Sequence, residues 1–410
     1  MDAKRIVIIG TGFAGFWSAF SAQRLINTQN QQDAIHVVVI APEAKMVIRP
    51  RLYEANPDAM GVPLAELFKA GGIEFMQGTV ETIDIAQHNL EVFSPPGTKT
   101  SMTFDRLILA AGSAVYLPPA LSGLEDHAFS IDSQSEAVKL DRHIEQLSTQ
   151  PDCDARNTIV VCGAGFTGLE LAAELPKRLG GILHGPNIIL IDSSSTLGAT
   201  LGPGPRAYIQ QAVVKLGIEV KLNAQITSIT SKGLTLASGE RIVSSTVIWT
   251  AGVRATPLTQ QISGSRDALS RLHVDEHLRV PGCEHVFATG DAAAALADTT
   301  GHYTMMSCQH ALVLGRFSGF NAAADLIGQP LKEYSQPKYV TCLDLGSWGA
   351  VFTNGWDREV KLTGMMAKKV KKMINQKMIY PPQSAAKALG LAEPSAVEGT
   401  SGIFRQLFQL

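Results

Sequence analysis

The sequence predicts an α/β protein: two strand–helix–strand domains of one plan, each with a β-meander, followed by a small C-terminal α+β extension. Three observations lead there. The stretches "RIVIIGTGFAGFWSAFSAQRL" and "TIVVCGAGFTGLELAAELPKRL" repeat an apolar strand, a glycine turn and a helical pattern. Each is followed by a second buried strand, "IHVVVIAPE" or "NIILIDSSS", and then by alternating segments with turn signals that read as meanders. Each half closes on a strand running into a small-residue turn, "LILAAGS" in one and "VIWTAG" in the other.

Bulk properties fit this plan. The chain has 410 residues, 45% hydrophobic and 18% charged, enough to bury a core in more than one domain. With 35 basic against 37 acidic residues, nothing favours nucleic acid as a partner. No run reaches the roughly 18 consecutive apolar residues of a membrane-spanning helix. No secretory leader is expected, because a domain motif begins at Gly10. The five cysteines, Cys153, Cys162, Cys283, Cys308 and Cys342, show no CxxC and no metal-like spacing, so no metal site is expected. Reduced thiols fit a cytoplasmic location.

The elements divide the chain in order. Residues 1–150 form the first part of one nucleotide-binding domain, and 151–272 form the second domain. Residues 273–328 return to complete the first, through "HVFATGDAAA" and the helical "CQHALVLGRFSGFNAAADLIG". Residues 329–380 hold the strand-like "KYVTCLDLGSWGAVFT" and a lysine-rich helix, and 381–410 a linker with an apolar tail.

A GxGxxG sequence has meaning between a buried strand and a helix. In the first copy Gly10 permits the tight turn, Gly12 lets a diphosphate approach the backbone, and Gly15 allows close helix–strand packing. Gly163, Gly165 and Gly168 repeat the arrangement. At the end of the next strand Asp192 is placed to accept from both hydroxyls of a ribose. Ser193, Ser194 and Ser195 follow without an arginine for a 2′-phosphate, so NADH is preferred over NADPH. The equivalent position in the first half is Ala41, which leaves Glu43 or backbone groups for that ribose. Gly290 and Asp291, in a turn after a third buried strand, suit the hydroxyls of a ribityl chain. The helix beyond presents its N-terminus to a flavin ring.

Together, "GTGFAG", "LILAAGS", "GAGFTGLELAAEL", "VIWTAG" and "FATGDAA" make residues 4–325 resemble the flavoproteins with two dinucleotide-binding domains. That group includes glutathione reductase, ferredoxin reductases and type II NADH dehydrogenases. The resemblance implies Rossmann-like FAD- and NAD-binding domains, with bound FAD. It adds Phe13, Ala14, Arg49, Val80, Ala111, Gly112, Gly252 and Gln309 to the cofactor-binding residues. "VIRPRLYEA" resembles a segment of type II NADH dehydrogenases that lies beside the flavin, and "GFTGLELAAEL" implies that Glu170 stands near the nicotinamide–flavin contact. Their "AQxAxQ" pattern, where flavin meets quinone, aligns with Cys308 to Val313. Gln309 and Ala311 match, whereas Cys308 and Val313 depart from it.

The resulting expectation is an NADH dehydrogenase that passes hydride to FAD and two electrons to a quinone or other small acceptor, with Glu170, Gln309 and His310 as catalytic residues. His310 is expected to supply a proton, since an imidazole titrates near neutral pH. Disulfide reductase chemistry is set aside because residues 43–75 hold no cysteine. Three alternatives stand beside it: a sulfide:quinone oxidoreductase using Cys308 and Cys342, a soluble reductase for a redox protein or aromatic metabolite, and an FAD-bound regulatory protein without enzymatic activity.

From Lys361 to Tyr380 there are six lysines and no acids, and Met366, Val370, Met373 and Ile374 recur at helical spacing. Such a basic amphipathic helix suits an anionic membrane surface or docks on its own protein. Ile403, Phe404, Leu407 and Phe408 form a second stripe in the 401–410 tail. The expected partners are therefore the acceptor, a membrane surface and a second copy in a homodimer, with the chain peripheral on the inner face of the plasma membrane.

Overall fold

A computed structural model describes residues 3–395. Its first sheet has six strands in the spatial order 279–280, 283–288, 106–109, 4–9, 35–41 and 74–77. All neighbours are parallel except the outer pair 279–280 and 283–288. Burial on both faces explains the continuous apolar runs: Ile6, Val7, Ile8 and the strand from Val37 to Ala41 are all buried. The second sheet has five parallel strands in the order 128–129, 246–249, 158–162, 187–191 and 218–221. Each domain carries a three-stranded antiparallel meander, 79–103 and 226–243.

Five helices frame the site. They are α1 (Phe13–Thr28), α2 (Gln134–Gln146), α3 (Phe166–Leu179), α4 (Cys308–Ile327) and α5 (Gly364–Met373). Helices α1 and α4 meet backbone to backbone: a Cβ on Gly315 would lie 2.4 Å from the Ala14 carbonyl oxygen, and one on Gly319 would lie 2.0 Å from that of Ser18. This contact brings the return segment into the first domain and sets the start of α4 beside the start of α1.

Two sequence expectations change. The chain enters the second sheet at Ala128 rather than at 151, and Ala137, Leu140 and Ile144 of α2 belong to that domain's core. The amphipathic pattern of α2, with a Ser133 side chain accepting from the Glu136 N–H at its start, packs on whichever sheet is nearest, and sequence does not say which. The stripe expected on the lysine-rich helix holds in part. Val370, Met373 and Ile374 pack with Ala367 on the C-terminal sheet of 340–344, 350–354 and 359–363, whereas Met366 is 62% exposed and Lys371 turns inward to α3. The 401–410 stripe lies outside the described residues.

Candidate functional site

The first glycine turn is built as a cradle. Gly10, at φ +112°, occupies backbone space that suits only glycine, and a Cβ on Gly15 would sit 2.0 Å from the Gly10 carbonyl oxygen. Around Gly12 a Cβ would meet nothing within 4 Å, and no side chain caps the first turn of α1 there. Free N–H groups therefore point into open space, as a diphosphate requires. Gly163, Gly165 and Gly168 repeat this: Gly165 caps α3 without a side-chain bond and is open, while Gly168 lies against the Gly163 carbonyl oxygen. Both turns fit dinucleotides. Phe13 and Ala14 begin α1, Ala14 buried and Phe13 half-buried.

Asp192 sits at the mouth of the second cradle. Its carboxylate accepts the Ala164 N–H at 2.6 Å and the Ser194 N–H at 2.7 Å. The remaining lone pairs are available to ribose hydroxyls. In the first domain the Glu43 carboxylate instead reaches Lys45 at 2.6 Å and is 62% exposed, while Thr11 donates to the Lys45 carbonyl oxygen. Val80 packs its side chain into the meander core, leaving only its main chain for a nucleotide.

Asp291 accepts from the Ser113 hydroxyl at 2.7 Å and faces the Arg49 guanidinium at 3.7 Å. Arg49 also donates to the carbonyl oxygens of Ser113 and Asp132 and pairs with the Asp132 carboxylate. Asp132, not singled out by sequence, in turn accepts the Val115 N–H at 2.9 Å. Gly290 brings this turn against α1, its Cβ position 2.8 Å from that of Ala14.

The two domain-closing turns are joined directly. Strands 113–115 and 253–255 pair antiparallel. The Thr256 N–H donates to the Gly112 carbonyl oxygen at 3.0 Å, and the Tyr116 N–H to that of Gly252 at 3.1 Å. Ala111, Gly112 and Gly252, widely separated in sequence, thus converge where the sheets face each other.

Glu170 is buried on α3 and bonded to Lys371 of α5 at 2.8 Å; it also accepts the Asp344 N–H at 2.9 Å. Burial pushes its carboxyl up to about 7. Burial alone would lower Lys371, but the facing Glu170 carboxylate more than offsets it and holds the ammonium above its usual value. Asp344 pairs with Lys368 and accepts the Tyr53 hydroxyl at 2.9 Å, so the "VIRPRLYEA" segment, α3 and α5 share one polar network. Lys371, Lys368, Asp344 and Tyr53 were not foreseen: no periodicity marks a lysine that turns inward to a carboxylate some two hundred residues earlier.

At the start of α4, Gln309 accepts the Val340 N–H at 3.4 Å, which ties it to the C-terminal sheet. His310 corrects the expected proton donor. It is fully buried, stacked on Tyr339 at 5.1 Å between centroids, and its Nδ1 accepts the Met305 N–H at 3.1 Å. Burial lowers its pKa to about 4, so it is neutral near pH 7. The thiols of Cys308 and Cys342 are pushed up by burial to about 11 and about 12, and Cys342 packs in the C-terminal core. Neither is held as the thiolate that sulfide chemistry would use.

A family model described as pyridine nucleotide-disulphide oxidoreductase matches residues 4–315. The chain is 40% identical over 390 residues to an NADH dehydrogenase-like protein of Mycobacterium tuberculosis, covering 94% of this chain and 96% of that one. It is 28% identical to the demethylphylloquinone reductase of Synechocystis, covering 91% and 92%. With a type II NADH:quinone oxidoreductase of Staphylococcus aureus it shares 25% identity, covering 92% and 96%. Among solved structures, the Plasmodium falciparum NDH2 bound to NADH shares the fold with a TM-score of 0.76 at 14% identity, covering 95% of this chain and 97% of that one.

Proposed function

Since this chain belongs to the pyridine nucleotide-disulphide oxidoreductase family, we infer that it is an NADH dehydrogenase that delivers two electrons, through bound FAD, to a quinone-like acceptor. The balanced reaction is NADH + H⁺ + quinone → NAD⁺ + quinol. One observation carries this reading: the antiparallel ribbon that locks the Gly112 and Gly252 turns together between two open glycine cradles.

The residues present fit both nucleotides. Gly10, Gly12 and Gly15 with the N-terminus of α1 would hold the FAD diphosphate, and Asp291, with Ser113 and Arg49, its ribityl hydroxyls. When bound, FAD supplies the two-electron relay between nicotinamide and acceptor. Gly163, Gly165 and Gly168 hold the diphosphate of NADH, and Asp192 orients its ribose without an arginine for a 2′-phosphate. Glu170 and Lys371 form a buried ion pair that ties α3 to α5. Gln309, at the first turn of α4, faces the acceptor. His310 is a neutral buttress for that turn and takes no proton role.

The exposed face of α5 carries Met365, Met366, Lys369 and Lys372, which suits peripheral contact with an anionic membrane. No helix among the described residues is long and apolar enough to cross one. Anaerobic stopped-flow tests the reading: NADH is expected to bleach the flavin absorbance faster than NADPH does, and a short-chain quinone to restore it. A flavin that NADH leaves oxidised would overturn it.

A further inference from the structure

One cation serves two acids where the domains meet. Arg49 lies in the "VIRPRLYEA" segment of the first domain, and among the described residues it is the only cation paired with Asp132 or with Asp291. Asp132 grips it twice: its carboxylate takes one terminal nitrogen, and its carbonyl oxygen takes Nε at 3.1 Å. The other terminal nitrogen donates to the Ser113 hydroxyl at 3.1 Å and lies 3.7 Å from Asp291. That hydroxyl in turn donates to Asp291 Oδ2 at 2.7 Å. Asp132, Arg49, Ser113 and Asp291 therefore form one line of charge-assisted bonds, in which each member polarises the next.

The two ends of the line differ. Asp132 is fully engaged, since its second carboxylate oxygen accepts the Val115 N–H of the interdomain ribbon at 2.9 Å. It directly precedes the Ser133 cap of α2, whose Ala137, Leu140 and Ile144 lie in the core of the second domain. Asp291 stands at the other end, in the turn wedged against Ala14 of α1, and its Oδ1 makes no bond among the described residues. One end is thus anchored in the second domain, and the other keeps an oxygen open to a ligand of the first. With a single guanidinium against two carboxylates, the line carries net negative charge.

We propose that Asp132 is a positioning residue by which the second domain, acting through Arg49 and Ser113, sets the charge at Asp291 and with it the reduction potential of the flavin. The inference rests on the FAD reading above and adds to it a residue outside the flavin-binding domain. Reduction places electrons on the flavin, so negative charge fixed nearby opposes it and positive charge favours it. Asp132 draws the guanidinium toward itself and cancels its charge. Without that carboxylate, Arg49 is left to answer Asp291 alone, and reduced flavin gains. A carboxylate that merely fastened the domains together would alter stability and leave the redox equilibrium where it was.

The test uses the flavin-loaded full chain and the variants D132N, D132A and D132E. The midpoint potential of the bound flavin is measured anaerobically against a reference dye, with Tm and flavin content recorded alongside. D132N and D132A, either of which suffices if the other does not fold, are expected to favour reduced flavin about tenfold, a rise of about 30 mV for a two-electron couple. D132E keeps the charge and should hold the potential of the unsubstituted protein. A lowered Tm with an unmoved potential in D132N or D132A would overturn the proposal and leave Asp132 a structural tie. So would a shift in D132E as large as that in D132N, because charge would then not be the cause. An unsubstituted chain that takes up no FAD would defeat the cofactor reading itself, whereas a loaded flavin whose potential ignores Asp132 defeats this inference alone.

Discussion

The ammonium of Lys371 lies 2.8 Å from the Glu170 carboxylate, both groups buried, and joins the C-terminal helix to the helix that begins at the second glycine turn. A buried pair of this kind contributes modestly while intact, but removing one partner strands the other charge. K371M is therefore expected to destabilise the protein by about 3 kcal/mol, and E170Q/K371M to recover a large part of that loss. Urea unfolding of the three proteins measures the coupling. Equal losses in K371M and the double variant would show that Glu170 does not depend on the lysine.

His310 gives a pH dependence of known sign. Its folded pKa of about 4 lies below the ordinary 6.5, so between these values the unfolded chain binds a proton that the folded chain excludes. Stability then rises with pH across that window and is lost as pH falls through it. The full depression corresponds to about 3 kcal/mol at most. Relative to H310Q, the protein should lose midpoint urea concentration progressively from pH 6.5 down to pH 4. A constant difference between the two would contradict a neutral buried ring.

The glycine cradle predicts two opposite outcomes from similar substitutions. Gly12 has open space around its Cβ position and a φ of −65° that alanine accepts. G12A should change stability by about 0.5 kcal/mol or less, yet purify with little flavin because a methyl occupies the diphosphate's approach. G15A would place its methyl 2.0 Å from a carbonyl oxygen and should fail to fold. Flavin-to-protein absorbance ratio and thermal melting separate the two.

Asp192 should set both affinity and cofactor choice. D192A is expected to raise the KM for NADH about tenfold with little change in kcat, the equivalent of about 1.4 kcal/mol of lost ribose bonding. It should narrow the preference for NADH over NADPH, because the repulsion of a 2′-phosphate goes with the carboxylate. Initial rates with both cofactors decide; an unchanged KM would remove Asp192 from the ribose.

What sequence revealed was local. The glycine turns, the buried parallel strands and the meanders depend on residues within about thirty positions of one another, and spacing alone exposes them. The polar network did not show itself, because Glu170, Asp344 and Lys371 are brought together only when the C-terminal turn at Gly346 docks on α3, its Cβ position 1.9 Å from the Ala173 carbonyl oxygen. Lys371 also defeats the hydrophobic pattern of α5, since a lysine reads as solvated until its carboxylate is known. His310 was misjudged for the same reason: its ordinary pKa is a property of water, and Tyr339, Trp356 and the Met305 N–H replace water around it. Asp132 and its grip on Arg49 likewise exist only once the second domain folds back against the first.

The ribbon between residues 113–115 and 253–255 has a kinetic consequence. Many enzymes with two nucleotide domains use a hinge that opens and closes between turnovers. Here the two turns that would flank nicotinamide and flavin are stitched edge to edge by main-chain bonds, which side-chain substitution cannot easily loosen. On the proposed function, the separation of donor and relay would then be a property of the backbone, fixed when the chain folds. On that reading, turnover is then expected to be gated elsewhere, by the arrival of the acceptor or the departure of the oxidised nucleotide.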